Sequence, residues 1–243
     1  MGSGGAEKVV SEISDFLAGV SAGRVFVIGA STGIDSSVVL TICSRIPHAT
    51  IHGYFMFDEA TPETDFADLS ELEKSSGVKV ERIDISPIEK AYEETLDGRP
   101  DRKVAGNLKA RIRMSILYYF ANLYSGIVVG TTNRSEYLTG YFTKFGDGAC
   151  DVEPVIHLYK DEIRALAKHL NLPDHIVKKS PSAGLWPGQT DEAELGMTYD
   201  QLDGELRKLE GVEGGGKISK IVRDMMVSSE HKRKMPPSLL DRR

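Results

Sequence analysis

Arg24-Val-Phe-Val-Ile-Gly-Ala-Ser-Thr-Gly-Ile-Asp-Ser-Ser-Val-Val-Leu40 is an apolar run, broken by small polar residues and resumed at helical spacing. Residues 25–28 are short, β-branched and aromatic, the composition of a strand buried on both faces of a parallel sheet. Residues 29–36 then offer small side chains and backbone N–H groups at a helix N-terminus, where the helix dipole favours an anion such as a phosphate. A Walker-type loop would carry a lysine just before its closing Ser or Thr, but that place is held by Asp35. A carboxylate facing a polyphosphate is repulsive unless a cation lies between them, so Asp35 implies a hard divalent ion, Mg2+. The spacing Gly-x-Gly-x-x-Gly is absent, which argues against a hydride-transfer dinucleotide site. The alternative reading of Ser31 or Asp35 is a helix cap.

Outward from this stretch, strand and helix alternate. Residues 7–18 carry Val9, Val10, Ile13, Phe16 and Leu17 at helical intervals, with Gly19 as the expected stop. A helix over 36–44, a strand over 50–57, a helix over 62–76 stopped by Gly77 and a strand over 78–85 follow. A long helix over 104–124 then leads to a buried strand over 126–130, which ends in polar residues. This alternation predicts an α/β fold, a doubly wound, mostly parallel sheet with helices on both faces, and ligands at the carboxyl ends of its strands. Residues 140–151 read as an ordered loop, 159–170 as helix, 172–177 as a turn and helix start, and 180–196 as a Pro/Gly-rich loop holding the only tryptophan, Trp186. Helices over 199–209 and 218–229 flank a hinge at 214–216, and residues 236–243 read as a frayed end.

With 243 residues the chain is long enough for one substantial core, expected as a single domain over 1–243 with a helical C-terminal segment. No apolar run approaches the roughly 20 residues of a membrane span. The opening Met1-Gly-Ser-Gly-Gly5 lacks the basic and apolar regions of a signal peptide, so the expected residence is cytoplasmic. Cys43 and Cys150 have no metal or redox spacing and are expected to be reduced, Cys43 in the core. A net charge of -6 argues against a nucleic-acid partner, which calls for a basic face. The basic clusters at Arg111/Arg113 and 231–234 therefore read as solvated faces or sites for a small anion.

The loop over 31–36 resembles the Ser-Gly-Gly-x-Asp-Ser signature of the ATP pyrophosphatase superfamily, with Thr32 where a Gly is usual. Such a Thr has an ordinary φ or accepts strain. Four further segments resemble one branch, the ammonia-dependent NAD synthetases: Asn107-Leu-Lys-Ala-Arg-Ile-Arg-Met114; Gly130-Thr-Thr-Asn-Arg-Ser-Glu136 through Gly140-Tyr-Phe-Thr-Lys-Phe-Gly-Asp-Gly148 to Pro154; Pro181-Ser-Ala-Gly-Leu-Trp-Pro-Gly-Gln-Thr-Asp191; and His231-Lys-Arg-Lys234. The resemblance implies an adenine nucleotide alpha hydrolase-like fold and ATP-dependent amidation of deamido-NAD by ammonia through an acyl adenylate, releasing AMP and pyrophosphate.

It further implies that Gly29, Ala30, Ser31, Thr32, Gly33, Ile34, Asp35 and Ser36 hold the ATP phosphates, with Thr131, Lys160 and Ser182 also contacting ATP. Asp35 and Glu136 would hold Mg2+, and Asp35, Glu136 and Lys160 form the expected catalytic set. Arg111, Lys144, Asp151, His231 and Lys232 would contact deamido-NAD. Taken alone, Glu136 reads as a helix N-terminal acid and Lys160 as a solvated residue at a helix start. The loop over 180–196 resembles a mobile lid that keeps water from the adenylate. No segment precedes the loop that could house a glutaminase, so ammonia itself is the expected nitrogen donor. The helix over 104–124 suggests oligomerisation, and the resemblance implies a homodimer. Rival readings are a tRNA-thiolating ATP pyrophosphatase, which would need a basic surface and reactive cysteines, and a non-catalytic ATP sensor.

Overall fold

Phe26, Val27 and Ile28 are almost wholly buried and alternate in direction, Phe26 and Ile28 into one apolar cluster and Val27 into another. They form β1 (Phe26–Gly29), an inner strand of a four-stranded sheet in the computed structural model, which describes residues 2–96, 98, 100–209 and 219–239. Its partners are β2 (Ile51–Phe57) and β4 (Ile127–Val129), while β3 (Val80–Asp84) pairs with β2. All three ladders are parallel, and Phe26 lies opposite both Ile51 and Ile127. The order β3-β2-β1-β4 reverses between β1 and β4. The carboxyl ends of those two strands therefore flank the switch point, where doubly wound sheets open a crevice.

One face of the sheet is covered by α1 (Ser3–Ser21), α2 (Ile34–Ser44), α3 (Glu63–Ser76) and α7 (Lys160–His169), whose Leu17, Leu40, Leu69 and Leu166 are completely buried. Burying each such side chain stabilises the fold by about 1.5–3 kcal/mol. Cys43 belongs to this core. The other face is covered by α5 (Arg102–Leu123), with Ile112 and Ala121 against Val27 and Val128, and Phe120 stacked on Tyr54 at 4.2 Å. A third cluster joins Tyr159, Tyr199, Leu202, Leu206 and Val222 beyond the end of β4, around α10 (Tyr199–Leu209) and α11 (Lys220–Ser228). Between β4 and α7 stands α6 (Arg134–Thr139).

Several boundaries differ from the sequence reading for identifiable reasons. Gly19 does not stop α1; the helix ends at Ser21, which is buried, and Ala22 takes the left-handed cap at φ 47°. The helix of residues 63–76 ends as expected at Gly77 in the left-handed conformation, with Pro62 at its N-cap. The helix α4 (Ser86–Thr95) was not foreseen, and it buries none of its residues. The loop over 180–196 closes with a short helix, α9 (Asp191–Leu195), and α8 (Asp174–Lys178) precedes it. The expected hinge at 214–216 lies outside the described residues, as does part of the expected frayed end. Among the described residues no helix is long and apolar enough to cross a membrane.

Candidate active site

The loop after β1 is tied by its own hydroxyls. Ser31 N–H donates to Ser36 Oγ at 3.2 Å, Gly33 N–H to Ser31 Oγ at 3.3 Å, and Ser37 Oγ to the Gly33 carbonyl at 2.8 Å. Gly33 is the N-cap of α2, and among the described residues no side chain caps the helix. Neither Ser31 nor Asp35 is therefore its cap, and the amides of its first turn are left for a ligand with negative charge. Thr32 is fully buried with φ 60°, so the chain accepts strain where the superfamily usually has Gly. A β-branched residue in this region is a genuine outlier and costs of order 1–3 kcal/mol. Its hydroxyl accepts a hydrogen bond from Lys179 Nζ at 3.0 Å.

Asp35 sits in the first turn of α2 with its carboxylate turned across the switch point. Oδ1 accepts from Asn133 Nδ2 at 2.9 Å, and Oδ2 from Lys160 Nζ at 2.6 Å. Asn133 and Glu136 form a capping box at the start of α6, in which Asn133 Oδ1 accepts from Glu136 N–H and Glu136 Oε2 from Asn133 N–H. The helix-terminal reading of Glu136 thus holds for one oxygen. The other, Oε1, lies 3.2 Å from Lys160 Nζ.

Lys160 is not a solvated residue. It is 2% exposed, with its ammonium between the two carboxylates and 4.8 Å from the centre of the Tyr199 ring. Burial favours its neutral form, but Asp35 and Glu136 outweigh that cost, and the net effect keeps it charged well above the ordinary lysine value. Asp191, also buried, accepts from Tyr199 Oη at 3.0 Å and Tyr141 Oη at 3.2 Å. Burial raises the pKa of Asp191 and, with Asp35 adding to it, that of Glu136. Two carboxyl groups thus share one ammonium, with the Asp191 carboxyl beside them on two tyrosine hydroxyls, an oxygen-rich environment that suits a hard divalent cation. Among the described residues no cluster of three or more His, Cys, Asp or Glu side chains could hold a metal unaided. Asp35 and Glu136 could supply two ligands to an ion that takes the rest from water and phosphate.

Thr131 lies two residues past the end of β4 and is partly buried, and Ser182 Oγ accepts from Gly184 N–H at 3.1 Å in the loop over 180–196. Four of the five residues expected at deamido-NAD lie together. Arg111 donates to the Lys144 carbonyl at 3.3 Å, Lys144 Nζ to the His231 carbonyl at 2.7 Å, and Lys232 Nζ to the carbonyls of Gly140 and Phe142 at 2.7 and 2.6 Å. Asp151 stands apart from them: it accepts from Val128 N–H at 2.8 Å and Tyr118 Oη at 3.3 Å and lines a separate recess with Arg24. Arg113 points inward, donating to the Met56 carbonyl at 3.2 Å and lying 3.5 Å from Asp58.

Sequence reasoning assigned no role to Asn133, Asp191, Tyr199, Lys179 or Glu153. Asn133 and Asp191 lay inside quoted motifs, Tyr199 carried only a helical signal, and Lys179 carried none. Glu153 accepts from Thr132 N–H at 3.1 Å, and its carboxyl occupies the space that a Cβ at Gly130 would need.

Compared with known proteins, the chain matches the family model described as NAD synthase over residues 6–236. It is 51% identical over 236 residues to a Picrophilus torridus protein named NH(3)-dependent NAD(+) synthetase, covering 96% of this chain and 94% of that one. Among solved structures, NMN synthetase from Francisella tularensis superposes with a TM-score of 0.86 at 34% identity, covering 98% of each chain. An NH3-dependent NAD synthetase from Campylobacter jejuni superposes with a TM-score of 0.81 at 31% identity, covering 96% of this chain and 99% of that one.

Proposed function

The chain belongs to the NAD synthase family, and from that premise we propose how its residues divide the labour of making NAD. It is an enzyme, a ligase that amidates deamido-NAD with ammonia at the expense of ATP. The nicotinate carboxylate attacks the α-phosphate and pyrophosphate leaves; ammonia then adds to the acyl carbon, loses a proton, and AMP departs. Adenylation turns a carboxylate, a poor acceptor, into one with a good leaving group.

The observation that carries the residue assignment is the convergence of Asp35 and Glu136, from the ends of β1 and β4, on the single buried ammonium of Lys160. In this reading residues 29–36 hold the ATP phosphates through the first-turn amides of α2, while Thr131 and Ser182 position the nucleotide. Lys160 fixes both carboxylates and adds positive charge beneath the polyphosphate. Asp35 and Glu136 would hold Mg2+, which when bound neutralises charge on the polyphosphate. Asn133 orients both acids, and Arg111, Lys144 and Lys232, with His231 beside them, offer a basic surface for deamido-NAD. Asp151, set apart from them, is assigned to the same substrate by its motif position alone.

The same reading treats the chain as one catalytic unit with residues 180–196 as its lid and with cytoplasmic residence, supported by two unpaired thiols. It also makes the enzyme a homodimer. The support is apolar surface left on α5, where Tyr119 and Leu123 are 64% and 58% exposed. Sedimentation as a monomer at micromolar concentration would exclude the dimer.

Mass spectrometry of products from ATP, Mg2+, ammonium and deamido-NAD tests the whole. NAD, AMP and pyrophosphate are expected in equal amounts, with no pyrophosphate when deamido-NAD is omitted. Glutamine in place of ammonium should give no NAD. Nicotinate mononucleotide as the competing acceptor tests amidation to NMN, the product named for the Francisella relative.

A further inference from the structure

The phosphate loop lacks a lysine of its own, and Lys160 is committed to two carboxylates from a nearly inaccessible position. Adenylation nevertheless expels pyrophosphate, whose charge grows as the α–β bridge breaks, next to two acidic side chains. A second cation at the loop is called for on charge grounds. Lys179 is placed to be that cation. Its Nζ donates to Thr32 Oγ1 at 3.0 Å, and Thr32 is the strained residue of the loop itself. Its side chain is 30% exposed, so it can exchange partners.

The present partners of Lys179 are Asp65 and Asp68, both on α3 and both at 2.7 Å, so two carboxylates hold one ammonium. Asp68 is also 3.3 Å from His175 Nε2 on α8. Lys179 is the C-cap residue of α8 and the last residue before the loop over 180–196. A glycine at position 32 would offer no hydroxyl to this ammonium. The threonine does, which gives the departure from the superfamily signature a use.

We propose that Lys179 is a further ATP-binding residue, whose ammonium serves the β- and γ-phosphates at the loop and thereby couples their presence to the first residue of the lid. This rests on the assignment of residues 29–36 to the ATP phosphates. Calorimetry of ATP and AMP binding with Mg2+, on the full chain, separates this role from that of a structural latch, because AMP lacks the phosphates that Lys179 would meet. Lys179→Met should weaken ATP binding roughly tenfold to a hundredfold, the worth of a charged hydrogen bond, and leave AMP binding unchanged. Lys179→Arg should keep most of the ATP affinity. Asp65→Asn with Asp68→Asn should keep or tighten it, since the latch is lost but the ammonium is freed.

Equal losses for ATP and AMP in Lys179→Met, unchanged ATP affinity, or a loss in the double Asn variant as large as that in Lys179→Met would each overturn the proposal. Should Lys179→Met fail to fold, a loss of ATP affinity of about tenfold or more in the double Asn variant, or equal losses for ATP and AMP in Lys179→Arg, would still overturn the proposal. The assignment of the loop is tested separately by titrating pyrophosphate into nitrogen-15-labelled wild-type protein. Unmoved amide resonances for residues 31–36 would sink that assignment whatever Lys179 does.

Discussion

Asn133 Nδ2 donates to Asp35 Oδ1 at 2.9 Å, its Oδ1 accepts from the Glu136 N–H, and its backbone N–H donates to Glu136 Oε2, so one buried residue holds both acids of the site. The two functions can be separated. Asn133→Asp keeps an acceptor for the Glu136 amide but sets a negative charge against Asp35, whereas Asn133→Ala removes both contacts. Asn133→Ala should lower stability by about 1–3 kcal/mol through the lost cap and hydrogen bond. Asn133→Asp should lose less stability but more turnover, because a carboxylate then faces Asp35 Oδ1 where Asn133 Nδ2 donated to it. Urea unfolding and pyrophosphate release measure the two effects. Wild-type turnover in Asn133→Asp would show that the amide only caps α6.

Lys160 sets one positive charge between Asp35 and Glu136 at a site with little access to water. Lys160→Met should leave that pair unpaired and cost about 3–5 kcal/mol in stability, as the breaking of a buried ion pair usually does. The deficit should be partly repaid by Mg2+, because two carboxylates deprived of their ammonium bind a divalent cation more tightly. The melting temperature of the variant should therefore rise more with added Mg2+ than that of wild type. An equal Mg2+ response would count against Asp35 and Glu136 as metal ligands.

The elements legible in the sequence were those whose signals are local. The strand–loop–helix over 24–40 announces itself by a buried apolar run followed by small residues, and α3 is punctuated by Pro62 and Gly77. Helix α4 is marked in the sequence only by Ile88, Ala91 and Tyr92, a short stripe of which Ile88 and Tyr92 stay 38% and 43% exposed, too little to set it apart from a turn. Gly19 misled for the opposite reason: the helix continues to a buried Ser21, and packing overrode the weak preference of one glycine. The carboxylates of the site could be picked out as motif members, but the burial of Lys160 could not. Its partner Asp35 lies 125 residues away, and only the folded switch point shows that a helix-start lysine is interior. Lys179 is hidden in the same way, 147 residues from Thr32.

Glu153 links stability to pH. Burial pushes its carboxyl from an ordinary 4.5 up to about 7, against the lowering effect of its hydrogen bonds with Cys150 and Thr132. Between those two values the folded chain keeps a proton that the unfolded chain has released, so stability falls as pH rises through the window, and the cost is complete above pH 7. Glu153→Gln does not titrate and can still accept from Thr132 N–H. It should be more stable than wild type by about 1–3 kcal/mol at pH 8 and nearly equal to it at pH 4.5. Thermal melts at the two pH values check this, and a gain confined to the acid side would refute it. The same variant should leave the neighbouring Asn133 in place, since the Thr132 N–H keeps an acceptor at position 153.

Leu185 and Trp186 lie against α5 at Gly106, where an added Cβ would meet Leu185 Cβ at 3.0 Å and Trp186 Cζ3 at 3.1 Å. Arg102 also sits over the Trp186 ring, 5.4 Å from its centre. Gly106 therefore admits the tip of the 180–196 loop, and two substitutions attack that seat from opposite sides. Trp186→Ala removes the part that docks, while Gly106→Ala crowds its seat and intrinsically favours the helix by about 0.5–1 kcal/mol. If the loop is a lid, both let water reach the acyl adenylate, which hydrolyses to AMP and deamido-NAD, so AMP should exceed NAD in the products of either variant. A rise in that ratio for Gly106→Ala without loss of thermal stability would assign the effect to the lid rather than to the fold. An unchanged ratio of AMP to NAD in both variants would leave the loop as surface structure, with the adenylate protected by something else.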